Sequence, residues 1–190
     1  EFSHEIRWNV RTELNIQTKD LLLYVGRLGA EKNLDFLLRS FQKLLSLRPE
    51  ARLIIAGYGP QREFLEKYAA DLGVATSVTF LGNLPRPDLV DLYKQTLFVF
   101  ASKSETQGLV LEEAMMAGAA VVAIGIMGPR DIITSGVTGI LVDEDENEFA
   151  QACARLLRDD NERQRIGMAA REWARSQSSQ VSTKKLLDIY

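Results

Sequence analysis

The chain of 190 residues contains one cysteine and one histidine. Cys153 by itself closes no internal disulfide, which points to a reducing compartment. His4 stands in a polar stretch ahead of the first apolar run, so no His/Cys cluster is available and no metal or cofactor is expected. No apolar run approaches the roughly 20 residues of a membrane span, and no signal peptide is visible. Neither sign of charge dominates: the net charge of −3 draws the chain as a whole neither to nucleic acid nor to an anionic membrane. An initiator methionine is also missing from the opening "EFSHEIRWNV", and a piece of a longer protein is expected. There is no internal repeat and no low-complexity segment.

What is present is an ordinary globular composition, 46% hydrophobic and 26% charged, in a chain long enough to bury a substantial core. Six β-rich runs stand out: "LLLYVG" (21–26), "ARLIIAG" (51–57), "SVTFLG" (77–82), "TLFVFAS" (96–102), "AAVVAIG" (119–125) and "GILVD" (139–143). Each is followed by a helical pattern, the first over about Leu34 to Leu47 and the second opening at Pro60, a favoured first-turn residue. Continuous apolar runs of this kind belong to strands buried on both faces. The expected fold is therefore α/β, a Rossmann-like, doubly wound, parallel six-strand sheet in the order 3-2-1-4-5-6. Residues 1–19 are expected to be an irregular interdomain linker and 20–175 the domain. Residues 176–190 would form a C-terminal helix packing on this domain or on a missing N-terminal one.

In that order the first and fourth strands are neighbours, and ligands bind outside their carboxyl ends. The loop after the first, "GRLGAEKN", offers Arg27 and Lys32 beside Gly26 and Gly29. Two cations at a glycine-flexible turn suit a diphosphate, Arg as a fork and Lys as a point charge; two solvated surface charges are the alternative. The loop is not a G-x-G-x-x-G, so the dinucleotide fingerprint is absent.

The loop after the fourth strand, "SKSETQG", leads into a helix near Gly108, whose free N–H groups favour an anion. Val110, Leu111, Ala114, Ala117 and Gly118 have the spacing of its buried stripe. Glu112 then lies opposite the stripe, in solvent, and Glu113 on its flank near Leu109. Glu113 stands about 7.5 Å along the axis from Gly108, in reach of the hydroxyl groups of a ligand whose phosphate rests at the helix start. Ribose is the obvious candidate. Glu105, before the helix, could serve hydroxyls on the other side of the phosphate. Stabilising the helix dipole is the competing explanation for both glutamates.

These residues carry a resemblance. "SETQGLVLEEAMMAGAAVVA" resembles the glutamate–seven residues–glutamate signature of family 4 (group 1) retaining GT-B glycosyltransferases, with Glu105 and Glu113 at the matching spacing. "YVGRLGAEKNLDFLLRSF" is similar to the donor-phosphate loop of that family, and "LIIAGYGPQREFLE", "VTFLGNLP" and "DIITSGVTGILVD" match its remaining blocks in order. The resemblance implies a C-terminal donor-binding domain, one half of a GT-B fold. It places Arg27 and Lys32 on the leaving diphosphate and Glu105 on the donor sugar, together with the backbone of Gln107, Gly108 and Leu109. Glu113 would bind the ribose, and Gly82, Asn83 and Leu84 would lie near the base, with Gly26 at the phosphate turn. The implied reaction moves a hexose from a nucleotide diphospho-sugar to a saccharide or lipid acceptor with retention of configuration, without nucleic acid. The acceptor would be held by a missing N-terminal domain, so the chain alone is expected to be inactive. The enzyme would be cytoplasmic, with peripheral contact at the inner membrane face through the missing half.

One departure stands out. The family usually has a bulky aromatic before the glycine, whereas this chain has Glu105-Thr106-Gln107-Gly108, a variant resembling enzymes that glucosylate diacylglycerol and related acceptors. Two rival functions are a GT-B-like sugar-nucleotide epimerase or phosphorolytic enzyme, and a non-catalytic α/β ligand-binding module. The first needs a further acid/base or a cofactor lysine motif. A receiver module needs an acidic cluster where Arg27 and Lys32 stand.

Overall fold

A computed structural model describes residues 6–103, 109–126 and 128–187, with 178–187 in backbone only. In chain order the elements are α1 (Val10–Glu13), β1 (Leu21–Val25), α2 (Leu34–Leu47), β2 (Arg52–Ala56), α3 (Arg62–Asp71), β3 (Val78–Gly82) and α4 (Arg86–Gln95). They continue with β4 (Leu97–Phe100), α5 (Leu109–Ala117), β5 (Val121–Ile124), α6 (Pro129–Ile132), β6 (Ile140–Val142), α7 (Glu146–Arg158) and α8 (Asp160–Leu187). The sheet order is β3-β2-β1-β4-β5-β6 and every pairing is parallel, as the alternation of strands and helices demanded.

Both faces of the sheet are covered, which is why its central strands read as unbroken apolar runs. Leu22, Tyr24, Leu53, Ile55, Val99 and Val122 point into a core closed by α2 and α7, where Phe36 meets Phe149 edge-on at 5.6 Å. Their neighbours Leu21, Leu23, Ile54, Phe98, Phe100 and Val121 point into the opposite core, closed by α4, α5 and α8. Burial of each such leucine or phenylalanine contributes about 1.5–3 kcal/mol, so the strands that carry the site stand on a stiff base.

Three details differ from the sequence expectation. The helix expected to open at Pro60 begins at Arg62, because the preceding residues form a turn in which the Gln61 N–H donates to the Leu28 carbonyl at 3.0 Å. The C-terminal helix does not start near 176; it is one continuous α8 from Asp160. Within the segment expected to be irregular, Asn9 caps the single turn α1, and Val10 is fully buried in the second core.

That segment is fastened to α4 by one carboxylate. Asp91 Oδ2 accepts the backbone N–H groups of Arg7 and Trp8 at 2.9 and 3.2 Å, while Gln95 bonds Val10 N–H and the Trp8 carbonyl. Burial would raise the Asp91 pKa, but the bonds from Trp8 and Arg7, with the Lys94 charge, outweigh it and hold the carboxyl below its usual range.

Candidate functional site

Backbone pairing continues past the strand ends, and this builds the site. Gly26 N–H donates to the Ala56 carbonyl at 3.0 Å, Leu28 N–H to Tyr58 at 2.9 Å, and Gly57 N–H to Gly82 at 2.8 Å. The loops after β1, β2 and β3 are thereby laced side by side. Gly57 is what permits the approach: its φ is +141°, and a Cβ there would sit 1.9 Å from the Gly26 carbonyl oxygen. Gly82 turns the chain out of β3 at φ +72°, with the Tyr58 ring 3.0 Å from where its Cβ would be.

Above this floor lies a cavity of about 360 Å³, lined among others by Gly26, Arg27, Tyr58, Gly82, Asn83 and Leu84. Five of these six were named from the sequence. Tyr58 was not, although it stands at the centre of the "LIIAGYGP" block. The residue is 57% exposed, it lines the cavity, and the Arg62 guanidinium lies over its ring, 5.7 Å from the centroid.

Arg27 is exposed and only 3.7 Å from Glu31, a loose pair that a phosphate could replace at little cost. Lys32 ends a 3-10 turn over Ala30–Lys32 and is followed by Asn33 in the left-handed region at φ +56°. Lys103 N–H and the Ser102 hydroxyl both reach the Glu31 carbonyl, at 3.4 and 3.5 Å. The loops after β1 and β4 therefore touch, as the strand order required. Asn33 donates to Glu144, which is also paired with Lys103. The sequence was expected to hold no Asp-x-Asp pair, but Asp143 and Asp145 form one, and the Asp145 side chain caps α7 by accepting the Asn147 and Glu148 N–H groups. Among the described residues no group of three or more His, Cys, Asp or Glu could hold a metal ion.

Glu113 on α5 meets Arg86 at the start of α4, which donates to its Oε1 at 3.2 Å. The two share a small cavity of about 60 Å³ with Leu89, Val90, Tyr93 and Met116. Leu89 lines this cavity and the larger one, so the two adjoin. The helix register needs one correction: Glu112, expected in solvent, is half-buried, whereas Glu113 is exposed. Met115 is buried too, and Val110 and Gly118 only half so. α8 packs along α5 and crosses its end so closely that a Cβ on Gly167 would be 2.3 Å from the Gly118 carbonyl oxygen. No periodicity within α5 reveals that cover. Leu109 is 61% exposed at the start of the helix, while Glu105, Gln107 and Gly108 lie outside the described residues.

A doubly wound parallel sheet with a cavity at the carboxyl ends of its strands defines a Rossmann-like domain. The chain belongs to the group 1 glycosyl transferases, whose family model matches residues 6–173. Its fold is the C-terminal half of a GT-B glycosyltransferase. It is 38% identical to the sulfoquinovosyl transferase SQD2 of Arabidopsis thaliana over 189 residues, covering 97% of this chain and 35% of that protein. Among solved structures it is similar to a point mutant of S. aureus TarM in complex with fondaparinux, α-GlcNAc-glycerol and UDP. The TM-score is 0.83 at 25% identity, over 91% of this chain and 36% of that one. HepE of Anabaena bound to UDP-glucose gives a TM-score of 0.79 at 25% identity, over 87% of this chain and 46% of that one. The chain spans less than half the length of the curated relatives it matches.

Proposed function

We propose that the chain is the donor-binding domain of an enzyme that moves a hexose from a nucleotide diphospho-sugar to an acceptor with retention of configuration. The observation that carries this reading is the adjacency, through Leu89, of the cavity at the ends of β1, β2 and β3 to the Glu113 carboxylate. A base sits against Tyr58 and the Gly82–Leu84 loop, and the ribose hydroxyls donate to Glu113. Arg27 and Lys32, with the N–H groups opening α5, offset the charge that grows on the leaving diphosphate. Glu105 and the backbone of Gln107, Gly108 and Leu109 hold the transferred sugar, and the dipole of α5 adds to the same field.

The cavity volume lies within the range of about 300–1,000 Å³ usual for small-molecule sites. The names of the relatives support the class of donor: TarM was solved with UDP, and HepE with UDP-glucose. The acceptor, a saccharide or a lipid, is held by a further domain across the cleft, so this chain alone binds donor without transferring sugar. The reaction takes place in the cytoplasm, and at the inner membrane face when the acceptor is a lipid. Among the described residues no helix is long and apolar enough to cross a membrane.

A thermal-shift panel of UDP, GDP and ADP with their hexose conjugates tests the reading, since a ligand selective for the folded state raises the melting temperature by mass action. One nucleoside diphosphate and its sugar conjugate should stabilise the chain at concentrations where the bare nucleoside does not. No shift with any of them would overturn it.

A further inference from the structure

Four described buried side-chain polar atoms have no hydrogen-bond partner: Asp20 Oδ1, Ser40 Oγ, Tyr93 Oη and Arg171 Nε. Tyr93 alone among them lines a cavity of the site, the small one it shares with Arg86 and Glu113. Its residue is 1% exposed, and its ring is pinned edge-on against Phe98 at 5.4 Å, so the hydroxyl cannot swing out to water. A buried hydroxyl without a partner is costly and calls for an explanation.

Glu113 supplies one. An ionised carboxylate is an acceptor with room for several donors, and Arg86 occupies only Oε1. The shared cavity, about 60 Å³, is too small for a substrate but ample for the carboxylate to shift within it. We propose that Tyr93 is a positioning residue for Glu113: when a nucleotide is bound, its hydroxyl donates to the Glu113 carboxylate and sets it to accept from the ribose. Arg86, exposed and loosely held, turns away as the ligand enters. This rests on the reading that Glu113 holds the ribose. Burial, reinforced by the Glu113 charge and opposed by Arg86, pushes the Tyr93 phenol up, so the group stays an O–H donor at neutral pH.

The hydroxyl then matters to ligand and not to the free fold, and Tyr93→Phe separates the two. The probe is whichever of UDP, GDP and ADP binds the 190-residue chain, titrated beside its 2′-deoxy analogue. Tyr93→Phe should leave the melting temperature of the free chain unchanged or higher. It should also lower the ribose-over-deoxyribose preference about threefold to tenfold, the span of one hydrogen bond. In the Glu113→Gln background the same change should have no further effect on that preference. If Glu113→Gln abolishes the preference while Tyr93→Phe leaves it intact, the Tyr93 inference fails and the ribose reading stands. If Glu113→Gln itself leaves the preference intact, the ribose reading fails and takes the Tyr93 inference with it.

Discussion

Arg86 and Glu113 meet at 3.2 Å across the gap between α4 and α5, with their side chains 83% and 44% exposed. A pair this open contributes little to stability, on the order of 0–1 kcal/mol. Glu113 lines the small cavity that shares Leu89 with the larger one, and on the proposed reading a ligand takes this carboxylate over from Arg86.

On the proposed reading, Glu105 and Glu113 should leave different signatures. Glu113→Gln is expected to weaken nucleoside diphosphate and sugar nucleotide by similar factors, since both contain ribose. Glu105→Gln should spare the nucleoside diphosphate and remove only the extra affinity given by the sugar. Glu112→Gln should change neither. Losing a charged acceptor costs about 1.5–3 kcal/mol, which isothermal titration of both ligands resolves. Damage confined to Glu112→Gln would refute the assignment.

The phosphate-binding role proposed for Arg27 and Lys32 is open to a similar comparison. Arg27→Ala and Lys32→Ala should each weaken nucleoside diphosphate about tenfold or more while leaving the bare nucleoside unaffected. Calorimetry with the two ligands checks this. Equal losses for both ligands would show that the change acts through the fold.

Gly57→Ala tests the floor of the cavity. The added methyl would lie 1.9 Å from the Gly26 carbonyl oxygen, so the loops after β1 and β2 must part. Overpacking of this kind costs about 1–3 kcal/mol. Chemical denaturation should show that loss, and nucleotide affinity should fall in step because Gly26 and Arg27 move. Unchanged stability would mean the two loops are free to separate.

Asp91 gives a prediction in pH. Its folded pKa lies below the ordinary 3.8, so the stability it contributes is complete above 3.8 and is lost as pH falls through the folded value. Asp91→Ala leaves the Arg7 and Trp8 N–H groups without their acceptor and should cost about 1–3 kcal/mol at neutral pH. The gap between the two proteins, measured by urea denaturation, should persist down to mildly acidic pH and narrow below 3.8. A gap that widens in acid would contradict this account.

How far the residues alone reach is clearest at α5 and at the N-terminal segment. Strand positions, sheet order and the meeting of the β1 and β4 loops were all legible in the sequence. Buried strands are apolar without interruption, and right-handed crossovers leave few topologies open. Gly26, Arg27 and the Gly82–Leu84 loop, singled out in the sequence, do line one cavity, because loops at the switch point of a doubly wound sheet converge there. Which sides of α5 are covered was decided by its packing neighbours, α4 and α8, the latter more than forty positions further along the chain. The burial of Val10 likewise depended on Asp91 and Gln95, some eighty positions away, and Tyr58 gained its place only when three loops were laced together. Local pattern records what each segment must hide from water. Which segment does the hiding depends on contacts between residues far apart in the chain, and those exist only once it has folded.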